Sequence, residues 1–272
     1  MRNIIILGTG RSGTSMVAAT FRSSGAFMGD QLIKATLSNP HGYYEDRYVN
    51  RLNNDFIRRL VGPPLLGWRI RGKFFRTVHT VPGAFFMAAP RRIPELQPTP
   101  EEIDKIRSFT KREPFCFKDP RFSLTLPIWL PYLPADTGFV VVFRDPMRTV
   151  ASMIRHAWEE YQPALPVTEN WGYVCWQRTY LRLLRFSEGS TKWIFVNYDS
   201  LLEGSGTTRL SEFVGCALNF SQIDRKTSRS AIHDWPKSRV GQDCRAVYDH
   251  MRELASTPEE DCLARTESNM QR

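Results

Sequence analysis

At 272 residues and 42% hydrophobic content, the chain is long enough to bury one sizeable core, and no Gly/Ser-rich or Pro-rich tract divides it. A formal charge of +9 favours an anionic partner. Yet the arginines are dispersed and no helix-turn-helix, zinc-finger or RNP pattern accompanies them, so nucleic acid is not the expected partner. One domain is predicted over 1–254, with a polar, nonperiodic and flexible tail over 255–272. No secretory leader opens the sequence, and no apolar run reaches the roughly 18 residues needed to span a bilayer, which predicts a soluble, cytoplasmic protein. Cys116, Cys175, Cys216, Cys244 and Cys262 are scattered without zinc-like spacing and read as reduced structural thiols, so no metal site is expected.

Ile4-Ile5-Ile6-Leu7 reads as a strand buried on both faces, and Gly8-Thr9-Gly10-Arg11-Ser12-Gly13-Thr14-Ser15 as a tight loop entering a helix. Val17, Thr20, Phe21 and Ser24 share one face of that helix, and Gly25 is placed to end it. Strand, glycine loop and helix in this order aim backbone N–H groups and the positive end of the helix dipole at one point, suiting a phosphate or sulfate. The spacing from Gly8 to Gly13 begins like a Walker A loop, but Thr14 stands where that motif requires lysine, and the cation is Arg11 instead. GTGRSGTS resembles the 5′-phosphosulfate loop of sulfotransferases that use 3′-phosphoadenosine 5′-phosphosulfate (PAPS), most nearly the arginine-bearing loops of the bacterial and glycan-type branches.

Gly25–Gly29 reads as a short further strand. Pro40 and Gly42 then mark a loop, after which Glu45 and Asp46 open a helix with Val49, Leu52, Phe56, Ile57 and Leu60 on one face. Acidic residues in a first turn also serve as dipole partners. Asn39-Pro40-His41-Gly42-Tyr43-Tyr44-Glu45 is similar to a sulfotransferase segment in which an acidic residue faces the acceptor. That resemblance implies Glu45 as general base, with Asp46 and His41 as competitors, and His41, Tyr43 and Asp46 on the acceptor side. Residues 62–100, rich in aromatics and arginines, are too irregular for a simple connection and are assigned to an acceptor-side lid or insertion. Thr99-Pro100-Glu101-Glu102 is a helix start.

Phe115-Cys116-Phe117 leads into Lys118-Asp119-Pro120-Arg121, and a helix with Leu124, Leu126, Ile128 and Trp129 follows. Charged residues at a strand's C-terminal end lie where open α/β sheets bind ligands. The segment resembles the same bacterial group, which implies that Lys118 assists catalysis and Arg121 meets the acceptor. Pro120 occupies the offset at which cytosolic sulfotransferases carry a catalytic histidine.

Phe139–Phe143 is a buried strand, followed by Arg144, an N-cap Asp145 and Pro146 at the first helical position. The helix stripe is Val150, Met153, Ile154, Ala157, Trp158 and Tyr161, with Arg148, Ser152 and Arg155 opposite. The eight-position spacing from Arg144 to Ser152 matches the pair that holds the 3′-phosphate of PAPS in the family. Trp171, Trp176 and Tyr180 belong to a helix, mostly as core. Trp193–Asn197 is a last strand, and Tyr198-Asp199-Ser200-Leu201-Leu202 resembles the family's segment near the adenine. Leu210, Phe213 and Val214 mark another amphipathic helix, and His233, Asp234, Trp235 and 237–239 form a basic stretch suited to closing over a nucleotide.

These elements predict a three-layer α/β/α domain around a parallel sheet of about five strands, the P-loop-like sulfotransferase fold. The resemblance implies a PAPS-dependent O-sulfotransferase acting in line, without a metal, on a hydroxyl of a carbohydrate or a small natural-product or lipid-like molecule. Arg11, Lys118 and Glu45 are its catalytic candidates. Gly8, Gly10, Arg11, Ser12, Gly13, Thr14, Ser15, Arg144, Ser152 and Tyr198 are its nucleotide candidates. Two other classes share the opening loop or the charge: a small-molecule kinase, against which Thr14 stands, and a basic nucleotide- or nucleic-acid-binding module, which shows no reading motif.

Overall fold

The computed structural model describes residues 1–36, 39, 42–61, 69–70, 73–74, 95–161, 168–223 and 238–256. Strand β1 (Ile4–Leu7) leads into helix α1 (Thr14–Ser23), and α2 (Arg47–Val61) follows. A short antiparallel pair, β2 (Arg69–Ile70) and β3 (Lys73–Phe74), precedes α3 (Pro100–Phe109). Then come β4 (Cys116–Lys118), α4 (Phe122–Trp129), β5 (Gly138–Phe143), α5 (Pro146–Tyr161) and α6 (Glu169–Ser187). The chain continues through β6 (Trp193–Asn197), α7 (Tyr198–Glu203), α8 (Thr207–Val214) and α9 (Arg239–Ser256).

The main sheet runs β4-β1-β5-β6 and is wholly parallel, with Ile5 beside Phe117 and Phe139, and Val141 beside Phe195. Alternate residues of each strand serve different cores, because successive side chains point to opposite faces. Ile5, Leu7, Phe117, Val141, Phe143 and Phe195 pack with residues of α2, α4, α5, α6 and α9. Ile4, Ile6, Cys116, Val140, Val142, Ile194 and Val196 pack on the other face with residues of α1, α7 and α8. Both faces being covered explains why these strands read as unbroken apolar runs. Among the described residues the sheet has four strands. The predicted further strand at 25–29 amounts to a single parallel bridge between Phe27 and Phe115, since the positive φ of Gly25 and Gly29 takes the chain out of extended geometry on either side.

The predicted apolar face of α2, Val49, Leu52, Phe56, Ile57 and Leu60, is buried throughout. The capping box of α3 forms as Thr99 and Glu102 exchange hydrogen bonds with each other's backbone N–H. Asp145 caps α5 by accepting from Arg148 N at 3.0 Å. Trp158 departs from its predicted stripe: it is 66% exposed, although Ala157 beside it is buried. Helix α9 lies beyond the last predicted element and buries Cys244, Val247 and Met251. Residues 62–68, 71–72, 75–94 and 257–272 lie outside the described residues, and with them most of the proposed lid and tail. Among the described residues, no helix is long and apolar enough to cross a membrane.

Burial raises the thiols of Cys175 and Cys244 from 9.0 to about 12, and the Cys116 thiol well above its ordinary value. Cys216 is partly exposed. Folding therefore favours the neutral buried thiols: their contribution to stability is whole below about pH 9 and is lost as pH rises toward 12. Iodoacetamide at pH 8 should alkylate Cys216 while sparing Cys116, Cys175 and Cys244, as peptide mass mapping would read. Labelling of the buried three at the rate of Cys216 would contradict this packing.

Candidate active site

The loop between β1 and α1 is braced from beneath. A Cβ at Gly8 (φ 138°) would strike the Val142 carbonyl oxygen, and one at Gly13 (φ 94°) would overlap the Tyr198 ring, so these positions accept only glycine. Ser12 turns inward and donates to Thr9 O at 2.6 Å and Val142 O at 3.2 Å. The Tyr180 hydroxyl donates to Val142 O at 2.8 Å and accepts from Thr9 N at 3.4 Å. Ser123 Oγ donates to Gly8 O at 3.3 Å. Gly13 is the N-cap of α1 and supplies no capping side chain, so the first amides of α1, at Thr14 and Ser15, lack intrahelical acceptors and face the loop with the positive end of the dipole.

Arg11 holds a left-handed backbone, φ 68°, a conformation that costs a non-glycine residue about 1–3 kcal/mol. Its Nε donates to Ser152 Oγ at 3.1 Å, which joins the loop to the polar face of α5. Arg144, at the end of β5, lies over the Tyr198 ring with its guanidinium carbon 4.6 Å from the centroid. Burial lowers the pKa of Arg11, and repulsion from Arg144 and Arg155 adds to this against the opposing Tyr43 and Glu159. Burial likewise lowers Arg144, with Arg148 contributing, against Tyr198 and Asp199. Arg148 pairs with Asp199 at 3.4 Å, and burial raises the Asp199 carboxyl against the pull of Arg144 and Arg148. The arrangement concentrates positive charge where an anion with several charges would relieve both repulsion and desolvation.

A second cluster lies beside the loop. Lys118 Nζ, at the end of β4, donates to Glu45 Oε1 at 2.7 Å and to Ser15 Oγ at 3.3 Å. Glu45 Oε2 accepts from Asn50 Nδ2 at 2.8 Å and stands 3.5 Å from Arg121 Nη1. Arg121 is also paired with Asp119 at 2.9 Å, and Asp119 Oδ2 accepts from Asn53 Nδ2 at 3.0 Å. Asn53 Oδ1 accepts from Thr125 Oγ1 and Trp129 Nε1, each at 2.8 Å.

Of the residues singled out in the sequence, Arg11 and Ser152 are in contact, Arg144 and Tyr198 are stacked, and Glu45, Lys118, Ser15 and Arg121 share one network. Arg121 is 4% exposed and engaged inside that network. Asp46 acts as the cap of α2: Oδ1 accepts from Tyr48 N at 2.8 Å and Val49 N at 3.1 Å, and Oδ2 from Gln31 N at 3.0 Å. The Tyr43 hydroxyl lies 2.8 Å from Thr36 Oγ1, and its carbonyl accepts from Ser15 Oγ at 3.4 Å. His41, with Ser38 and Pro40, falls outside the described residues, as do His233, Asp234 and Trp235. The sequence reading missed Asn50, Asn53 and Asn54. Three asparagines at helical spacing inside α2, where asparagine is a poor helix former, were the available signal.

No protein-family model and no curated protein sequence matches the chain. Solved structures do. A sulfotransferase domain from the Synechococcus PCC 7002 olefin synthase superposes with a TM-score of 0.52 at 11% identity, covering 92% of this chain and 94% of that one. A sulfotransferase domain from the curacin biosynthetic pathway gives 0.51 at 11% identity, covering 92% and 98%. The chain thus has the fold of the sulfotransferase domains, as the opening loop led one to expect. At this identity the likeness establishes the fold.

Asn53→Ala would strand the Trp129 N–H and one Asp119 oxygen in the core, with the Thr125 hydroxyl keeping its bond to Arg121 O, and should cost about 3 kcal/mol in urea unfolding. A loss below 1 kcal/mol would show the network to be marginal to stability.

Proposed function

We propose that the protein is an O-sulfotransferase that uses PAPS and transfers to a hydroxyl of a carbohydrate or a small natural-product or lipid-like acceptor. The observation that carries this reading is the gathering of Arg11, Arg144 and Ser152 at the uncapped start of α1, in a fold shared with sulfotransferase domains. The donor, when bound, brings the sulfuryl group and a good phosphate leaving group. Arg144, placed over the Tyr198 ring, and Ser152 are assigned to its 3′-phosphate. Arg11 and the α1 amides are assigned to its 5′ end, where positive charge already faces the loop and offsets negative charge that grows during transfer. Lys118, hydrogen-bonded to Ser15, adds a second cation from the other side. These groups supply the field that a Walker lysine and magnesium provide in kinases, so the reaction is assigned no metal.

Glu45 is assigned as the base. An aliphatic hydroxyl ionises too weakly to react unaided, and Glu45 is joined to the start of α1 through Lys118, which donates to both Glu45 and Ser15. Its partnership with Lys118 couples two changes: as Glu45 takes the acceptor proton and loses its charge, the Lys118 ammonium is released to the charge developing near Ser15. Asp46, with its oxygens committed to backbone amides, is left to shape the start of α2.

Arg144→Ala should weaken binding of adenosine 3′,5′-bisphosphate by about one to two decades, measured by calorimetry, because a charge-assisted pair of this kind contributes about 1.5–3 kcal/mol. Unchanged affinity would overturn the nucleotide assignment. Glu45→Gln should lower turnover by about two to four decades and leave bisphosphate affinity nearly intact. Near-normal turnover with the chemical step rate-limiting would remove Glu45 as base.

A further inference from the structure

The carboxylate assigned as base is held by a closed ring of side chains, only part of which touches it. Arg121 Nε donates to Asn54 Oδ1 at 2.7 Å. Asn54 Nδ2 donates to Asn50 Oδ1 at 3.2 Å, and Asn50 Nδ2 donates to Glu45 Oε2 at 2.8 Å. The ring closes where Arg121 Nη1 stands 3.5 Å from the same Glu45 oxygen. Its direction is fixed by chemistry. A guanidinium can only donate and a carboxylate can only accept, so both amides between them must present oxygen toward Arg121 and nitrogen toward Glu45. Asn50 and Asn54 sit one helical turn apart on α2, which sets their spacing rigidly.

We propose that Asn50 and Asn54 are positioning residues that relay the polarity of Arg121 to Glu45 Oε2, so that Oε1 alone is left for Lys118 and the acceptor proton. The proposal rests on the assignment of Glu45 as base. It explains why two asparagines, which weaken a helix interior by their side-chain competition for backbone groups, stand there one turn apart between Arg121 and Glu45. Asn54 makes no hydrogen bond to Glu45 yet dictates which end of the Asn50 amide Glu45 meets.

The test reverses the ring. Asn54→Asp is nearly isosteric but cannot donate, so the Asn50 amide should turn its nitrogen toward position 54 and its oxygen against Glu45. Glu45→Gln then offers a donor to the turned Asn50 oxygen, so the double variant satisfies the Asn50 contacts again, while the Arg121 and Lys118 contacts of Glu45 are lost in it as in Glu45→Gln alone. Thermal unfolding of the unliganded wild type, both single variants and the double variant should be non-additive, with the double variant losing less than the sum of the two single shifts. In turnover assays, Asn54→Asp should lower kcat tenfold or more, with the KM for PAPS and the affinity for adenosine 3′,5′-bisphosphate within twofold of wild type. Additive melting shifts would overturn the ring, whatever the kinetics. Non-additive shifts with wild-type kcat would overturn the positioning role. Absence of any sulfuryl transfer by the unmodified enzyme would instead defeat the functional reading, while the unfolding cycle still decides whether the ring exists.

Discussion

The ion pair between Lys118 and Glu45 is the contact on which the site depends. Both side chains are almost wholly removed from water, at 2% and 8% exposure, and burying two charges costs more than their attraction returns unless the geometry is close and the remaining lone pairs are met. Here the separation is 2.7 Å, and Asn50 and Ser15 satisfy what is left. One consequence is mechanical. The end of β4 and the residue entering α2 are locked together, because losing Lys118 or Glu45 would leave the other charge buried without its nearest partner, and Ser15 ties the first turn of α1 to the pair.

The loop above the pair makes the opposite compromise. Arg11 takes a backbone conformation disfavoured for its side chain, and its charge is set against Arg144 and Arg155 in partly desolvated surroundings. Each feature lowers stability in the unliganded protein, and each favours an anion with several charges. Strain of this kind persists only where the surroundings over-determine it. The inward hydrogen bonds of Ser12, Tyr180 and Ser123 and the close approach of Gly13 to Tyr198 provide that constraint. Stability withheld at the loop is supplied by the fully covered sheet beneath it.

Helix α2 connects the two. Its apolar face anchors it through Val49, Leu52 and Phe56, and its asparagine face accepts from Arg121, Trp129 and Thr125 and donates to Glu45 through Asn50 and to Asp119 through Asn53. A helix of low intrinsic propensity is affordable there because packing, rather than propensity, stabilises it.

The sequence by itself determined the parallel strands, the loop and most helices. Runs such as Ile4–Leu7 and Phe139–Phe143 can only be doubly buried, Gly8 and Gly13 announce a turn that side chains would block, and Thr99, Asp145 and the apolar stripe of α2 set helix starts and faces by local chemistry. It misjudged elements whose fate is decided by neighbours: Trp158, which is exposed beside the buried Ala157, the bridge at Phe27, and α9, whose apolar positions gain meaning only against β6 and α6. Only the tertiary structure decided that Arg11 meets Ser152, 141 positions away, that Lys118 meets Glu45 across 73, and that Asp46 spends its carboxylate on a cap while its neighbour enters the site. Periodicity records which face a residue occupies on its own element. Which distant face it then meets is set by strand order and helix packing, and no local pattern carries that information.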